Sequence, residues 1–258
     1  LFTLFLFYEI LTISTYPLVA HKGDQKAKLN ARIYLVILIA TSMMLLLPAI
    51  IWTGVVAGTL DFTRGGILAG AGLSAAAATG LMALYVFGIG KAAIWPIHYW
   101  LPAAMVAPTP VSALLHAVAV VKAGVFSIVK VFVYIFGLDY LTETGASQWV
   151  VYLAGFTVVL ASMIALTHDN LKKRLAFSTV SQLSYVTMAA AVATPAAVLG
   201  AMLHIAAHAV SKITLFFAAG SLHTAGHLDN ISQLDGAGRR MPWTMGAFAV
   251  GAVAMIGL

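Results

Sequence analysis

The chain has 258 residues, 62% of them apolar and only 9% charged, with a mean hydropathy of +0.99; soluble domains carry about 25% charged residues, so a water-soluble globule, disorder and a disulfide-stapled secreted fold are excluded. The lack of cysteine removes thiol catalysis and Cys-ligated zinc or iron–sulfur centres. A net charge of +6 does not indicate nucleic acid here, because the basic residues lie in short loops between apolar stretches, where membrane topology places them.

A membrane span needs about 20 mostly apolar residues. Apolar runs near 1–20, 33–57, 74–90, 111–138, 148–167, 175–194, 196–222 and 241–258 predict an all-α polytopic membrane protein of eight segments. Turn-forming residues separate them, among them His21 to Asp24, Gly65 to Gly72, Asp139 to Ser147, His168 to Asn170, Thr194-Pro195 and Gly236 to Arg240. The alternating ten-residue pattern of a barrel is missing. Both ends fall inside apolar runs without an initiator Met or a signal-peptide pattern. Residues 1–258 are therefore expected to be a single transmembrane domain, truncated at both ends, of a longer protein.

The first run carries Glu9, the only acidic residue within any predicted span. An ionisable group at that depth costs at least a few kcal/mol and is rarely kept without a function; pairing a lysine on a neighbouring helix is the structural alternative. Loop 21–32 follows with Lys22, Lys26, Lys28 and Arg32. The third run ends near Lys91, where Trp95-Pro96 and Leu101-Pro102 begin a proline-rich stretch that continues through Pro108-Thr109-Pro110. Proline inside a helix removes a hydrogen bond and clashes with the preceding turn, so this helix is expected to break just after Lys91. Broken membrane helices are tolerated where they line a cavity or are buried in protein. Lys91 is then either a working group at the break or a lysine snorkelling to the surface.

The fourth run carries His116, Lys122 and Lys130. Lys122 is too deep to reach water easily, Lys130 is near enough the outer end to be simply interfacial, and His116 is a candidate relay group or a hydrogen-bonded core residue. Lys172 and Lys173 open the sixth segment, as topology signals or as part of a pathway, followed by Ser178, Thr179, Ser181, Gln182 and Ser184. In the seventh, His204, His208 and Lys212 recur at i, i+4 and i+8, on one helix face. The two histidines have zinc-helix spacing, but Ile205 stands where a metalloprotease needs Glu and no third ligand is evident, so no metal is expected. Titratable groups about 6 Å apart along a helix in an apolar bundle are the pattern of a proton relay. Such a stripe must face the bundle interior, toward the fourth helix, and Lys122 is expected one or two waters away. His223 and His227 are read as solvated loop residues. No nucleotide-binding glycine loop is present, since Gly88-Ile89-Gly90-Lys91 lacks the spacing.

Loops 21–32, 168–174 and 223–240 hold nine Lys and Arg, whereas the alternate loops 58–73, 139–147 and 194–195 hold Arg64 alone. The positive-inside rule assigns the first three to the cytoplasm, which predicts a multi-pass protein of the cell inner (plasma) membrane with Leu1 on the outer side.

The run Gly90-Lys91-Ala92-Ala93-Ile94-Trp95-Pro96-Ile97-His98-Tyr99-Trp100-Leu101-Pro102, continued by Ala107-Pro108-Thr109-Pro110-Val111-Ser112-Ala113-Leu114-Leu115-His116, resembles the signature of the antiporter-like subunits shared by respiratory NADH:quinone oxidoreductase and Mrp-type cation/proton antiporters. Asn170 through Gln182 and His204 through Lys212 resemble two further signatures of that family. Phe7-Tyr8-Glu9 through Val19 and Val120-Val121-Lys122-Ala123-Gly124 look most like the Mrp D-type subunit. The resemblance implies the fifth to twelfth helices of a fourteen-helix subunit, built as inverted five-helix repeats with one broken helix each, the second break lying just past Leu258. It also implies that Glu9 and Lys91 form a pair whose separation modulates the lysine's proton affinity, that Lys122 and His116 relay protons, and that His204, His208 and Lys212 continue the axis. The expected order is Glu9, Lys91, Lys122, His208, Lys212, in the membrane plane.

The function expected is proton translocation by one subunit of a multisubunit membrane complex. Either the complex exchanges Na⁺ for H⁺ as an antiporter, or it pumps protons in an NADH:quinone oxidoreductase, hydrogenase or inorganic-carbon-uptake complex. No cofactor and no catalytic chemistry of the chain's own are expected; its partners are other membrane subunits, H⁺ and Na⁺, and the lipid bilayer. Two other readings are an inert scaffold, disfavoured by the intramembrane charges, and a membrane redox protein with span histidines on haem. Haem would need opposed imidazoles on different helices, and a Soret band would reveal it.

Overall fold

The computed structural model describes residues 1–256, so the end of the eighth apolar run and the expected second break lie outside the described residues. Eight helices of 14 or more residues make up the bundle: α1 (Phe2–Val19), α2 (Gln25–Ala57), α3 (Ala75–Gly88), α4 (Thr109–Phe136), α5 (Gln148–Thr167), α6 (Leu171–Ala191), α7 (Pro195–Gly226) and α8 (Pro242–Met255). Among the described residues there is no strand, only an isolated bridge between Asn170 and Asn230. Helices α1, α2, α4, α5 and α7 are long and apolar enough to cross a bilayer. Helix α6 has 21 residues but opens with Lys172, Lys173 and Arg174, and α3 and α8 are shorter, at 14 residues each.

Capping explains why several helices outrun their apolar stretches. The Asp24 carboxylate accepts from the Ala27 N–H at 2.5 Å, starting α2 eight residues before the apolar run at 33. Asn170 accepts from the Lys173 N–H at 3.1 Å, which draws Lys172 and Lys173 into the first turn of α6 instead of leaving them in a loop. Thr194 caps α7 at 3.3 Å with Pro195 in its first position. Two connections read as loops also prove helical: Leu138–Thr144 is a short helix, and His223 lies in the last turn of α7, paired with Asp229 at 2.8 Å. Wider π turns interrupt α2 at Ser42–Leu46 and α4 at Leu114–Val118 and Val131–Phe136.

The helices alternate in direction. At one end, the segments after α5 and α7 are joined by Leu171 N–H to the Asp229 carbonyl (2.9 Å) and Ile231 N–H to the Asp169 carbonyl (2.8 Å). At the other end, Leu68 N–H reaches the Ile135 carbonyl (3.0 Å), the Leu1 amine the Leu60 carbonyl (2.6 Å), and Ser147 Oγ the Ala191 carbonyl (2.8 Å). The three cation-bearing loops thus meet at one end of the bundle, and Lys22, Lys172 and His223 share a single cleft there. Outward faces are apolar, with Phe7, Val55, Tyr152 and Leu166 largely exposed, as expected of surfaces solvated by lipid or by other membrane helices.

Candidate ion-translocation axis

Helix α3 stops at Gly88, three residues before Lys91, and not just after it. The Ile89 N–H still closes the helix on the Tyr85 carbonyl (2.9 Å), but the backbone then turns away at ψ 59°, into a tight 3₁₀ turn over Gly90–Ala92. The end of the helix is closely packed: a Cβ on Gly88 would run into the backbone of Leu46, in the π turn of α2. The prolines act later, with a cis Trp95–Pro96 bond and a further 3₁₀ turn over Ile97–Tyr99. Because Leu73 meets Tyr140 at one end while Tyr99 and Val106 line the cleft at the other, α3 and this broken segment together traverse the bundle.

Lys91 therefore sits within the break, fully buried. Its N–H donates to Tyr8 Oη at 3.0 Å, its Nζ donates to the Tyr8 carbonyl, and the same Nζ lies 3.3 Å from the centre of the Tyr8 ring. Trp100 Nε1 donates to the Gly90 carbonyl at 2.9 Å, pinning the turn from the other side. Gly124 of α4 completes the enclosure; a Cβ there would collide with the Lys91 carbonyl carbon. Glu9 is 8% exposed, and both carboxylate oxygens are buried without a hydrogen-bond partner. It makes no ion pair with Lys91, whose ammonium is taken by the residue before it. Among the described residues the one ion pair is His223–Asp229.

Gly124 leads to the second half of the site, because Lys122 lies two residues away on the same helix. Lys122 is buried, and its Nζ contacts His208 Nδ1 on α7 directly, where one or two intervening waters were expected. One turn further along α7, the fully buried Lys212 donates to Ser178 Oγ on α6 at 2.9 Å. His208 and Lys212 thus face inward, toward α4 and α6. His204 does not share their burial; it is half-buried, its ring 6.1 Å from that of His208, and lines a cavity of about 620 Å³ between α6, α7 and the end of α8. His116 lies in the π turn of α4, fully buried with both ring nitrogens unpartnered, 5.4 Å from the Phe216 ring.

The remaining candidates lie at the ends. Lys172 donates to the Ala107 carbonyl at 3.1 Å, tying α6 to the segment leading into α4, and Lys173 is exposed beside it. Lys130 sits over the Phe62 ring at 4.0 Å with Tyr134 and Phe126 nearby, an aromatic setting that suits an interfacial cation. Tyr8, Gly124 and Ser178 do not stand out as site residues in the sequence. The signals were Tyr8's place next to Glu9 and Ser178's place in a run of small polar residues.

The contacts run from α1 through the break of α3 to α4, α7 and α6, a sequence of buried titratable groups laid across the bundle. The family profile described as NADH:quinone oxidoreductase/Mrp antiporter, TM, matches residues 1–258. The chain belongs to this family. It is 38% identical over 177 residues to NADH-quinone oxidoreductase subunit L of Rickettsia conorii, covering 68% of this chain and 25% of the relative. Hydrogenase-4 component B of Escherichia coli is 31% identical, over 96% of this chain and 38% of the relative. A Rhizobium meliloti protein, the A/B component of a probable K(+)/H(+) antiporter, is 40% identical, over 70% of this chain and 18% of the relative. The chain therefore spans between about a fifth and two fifths of the length of these relatives. Among solved structures, a chain of the Mrp complex from Dietzia sp. DQ12-45-1b superposes with a TM-score of 0.75 and 32% identity, covering 85% of this chain and 24% of that one. A chain of the membrane-bound sulfane sulfur reductase, an archaeal respiratory membrane complex, does so with a TM-score of 0.84 and 27% identity, over 100% and 52%. The relatives include L, A/B and B types, so the membership they establish is in the antiporter-like family as a whole, above the level of the D-type subunit.

Proposed function

We propose that this chain is the ion-translocating core of an antiporter-like subunit in a multisubunit membrane complex, passing protons along Glu9, Lys91, Lys122, His208 and Lys212, with His116 and His204 beside the route. The observation that carries this reading is the buried contact of Lys122 Nζ with His208 Nδ1, two titratable groups on different helices touching inside an apolar bundle. Neither is repaid by a carboxylate, and buried charges without ion-pair partners are costly. A proton shared between an ammonium and an imidazole, and passed on, is a use that justifies the cost. Lys172 and Lys173 stand at the cation-rich end, where a proton would enter, and Lys130 near the opposite end. The loop charges support a position for that cation-rich end on the cytoplasmic side of the inner (plasma) membrane.

The driving process is set by the partners. Relatives named for quinone reduction, for hydrogenase and for K(+)/H(+) antiport match two thirds or more of this chain, which supports a common translocating part used both for exchange of H⁺ for Na⁺ or another cation and for redox-driven pumping. In either role the chain supplies a path and a switch, with no bond-making chemistry. The test is transport by the assembled complex in vesicles: Lys91→Ala and Lys122→Ala are each expected to reduce proton movement more than 100-fold, roughly 3 kcal/mol or more, while the complex still assembles. Normal transport by correctly inserted variants would refute the route.

A further inference from the structure

At the cation-rich end, the start of α2, the broken segment and the start of α6 enclose a cleft of about 640 Å³, within the range of roughly 300–1,000 Å³ seen for small-molecule sites. Its rim holds Lys22, Lys26, Lys172 and Lys173, together with His168 and His223. The two carboxylates at the rim are already engaged: Asp24 caps α2 on the Ala27 N–H at 2.5 Å, and Asp229 is paired with His223 at 2.8 Å. Asn170 is likewise turned to the Lys173 N–H at 3.1 Å. Lys22, Lys26 and Lys173 are exposed, and none forms an ion pair among the described residues. Both carboxylates keep their charge, but four lysines against two aspartates leave the cleft cationic, and three of the lysines are without ion-pair partners among the described residues, which favours an anion.

The floor narrows the choice of anion. Besides the charged side chains the lining holds Pro102, Ala103, Met105, Val106 and Phe177, all buried or partly buried apolar groups, with the exposed Tyr99 at the edge. A small inorganic anion gains nothing from such a floor, whereas an amphiphile places its charge on the rim and its hydrocarbon below. The cleft also lies at the ends of helices long and apolar enough to cross a bilayer, and basic pockets between such helices recruit acidic lipids. We propose that this cleft binds the phosphate headgroup of an anionic phospholipid from the adjoining leaflet. The lipid's glycerol and first methylenes rest on the broken segment, so the lipid braces the chain just beyond the Lys91 turn. This inference stands on the cleft alone and does not depend on the proposed proton route.

The complex is reconstituted in nanodiscs of phosphatidylcholine containing a minority of phosphatidylglycerol, and the lipid retained after release is counted by native mass spectrometry. Wild type is expected to retain phosphatidylglycerol in preference to phosphatidylcholine. The double variant Lys22→Gln, Lys26→Gln is expected to lose that retention by about tenfold. The variant Arg239→Gln, Arg240→Gln removes the same charge from the same end but outside the cleft, and is expected to retain the lipid. Equal losses in the two double variants would reduce the effect to general surface charge and overturn the site. Equal retention of the two lipids by wild type would overturn it as well. Binding of inorganic phosphate by the lipid-free complex, lost in the Lys22, Lys26 variant and unaccompanied by any phosphatidylglycerol preference, would reassign the cleft to a free anion.

Discussion

Lys91 and Lys122 are both buried lysines, but the protein holds them by opposite means. Around Lys91 the helix has been opened, and the ammonium rests on a backbone carbonyl and an aromatic face, both supplied by Tyr8. Lys122 lies in the first regular turn after the π turn of α4, in a helix that continues through it, and its partner is the imidazole of His208 on another helix. A carbonyl and a ring accept a cation but cannot take up its proton, whereas an imidazole can. The two settings differ in their chemistry: the partners of Lys91 fix the position of its ammonium, whereas Lys122 touches a group that can itself accept a proton. Glu9 follows Tyr8 on α1 and is buried, its carboxylate without a hydrogen-bond partner.

The two settings are joined at Gly124, and the most damaging way to break the comparison is to push them apart there. Gly124→Val places side-chain atoms where the Lys91 carbonyl lies. Overpacking of this kind costs about 1–3 kcal/mol, so a lowered Tm of the purified complex and loss of transport are expected together; wild-type values for both would show that the turn yields freely.

A charge role for Glu9 predicts a graded series. Glu9→Gln is expected to slow proton transport in vesicles by roughly tenfold, about 1.4 kcal/mol, while Glu9→Asp is milder because the charge survives on a shorter reach. Equal rates for Gln and wild type would confine Glu9 to a structural part. On the other side of the comparison, Ser178→Ala removes the acceptor of Lys212 Nζ. A hydrogen bond to a charged group is worth about 1.5–3 kcal/mol, so a loss of transport of about tenfold, at the lower end of that range, is expected. Retention of activity by Ser178→Thr would attribute the effect to the hydroxyl.

The smallest effect is expected at the cation-rich end. Ser232 donates to the Asp169 carboxylate through both its hydroxyl (2.7 Å) and its N–H (3.0 Å), which holds that carboxyl below its usual range. Its contribution is thus present above the ordinary carboxylate range and fades as the pH falls through the lowered value. Asp169→Asn is expected to speed amide exchange near Ile231 and Ser232 at neutral pH, and to differ less from wild type in acid, with transport little changed.

The break near Lys91 shows where sequence reading was sufficient and where it was not. Two prolines and a glycine-rich junction announce an interrupted helix, but the stop comes at Gly88, where the α2 backbone packs closely, and no local signal carries the position of a neighbouring helix. The stripe of His204, His208 and Lys212 was legible by spacing, yet only the last two are fully enclosed. Four residues overshoot one helical turn by about 40°, so the stripe winds about the axis and leaves His204 at the edge of a cavity.

The sequence by itself determined the solvent and which loops share an end of the bundle. An apolar fraction of 62% and the loop cations require a helical bundle in lipid with its basic loops at one end, because composition and chain order suffice for both. It also marked which charges are buried, since a lysine in mid-span has nowhere else to go. The partners of those charges were decided only by tertiary structure: Tyr8 for Lys91, His208 for Lys122 and Ser178 for Lys212. Each of these contacts joins different elements of the fold, so it depends on the rotation and depth at which the helices pack. Those are properties of the whole bundle, fixed by the close fit of many side chains, and are not encoded in the spacing along any one segment.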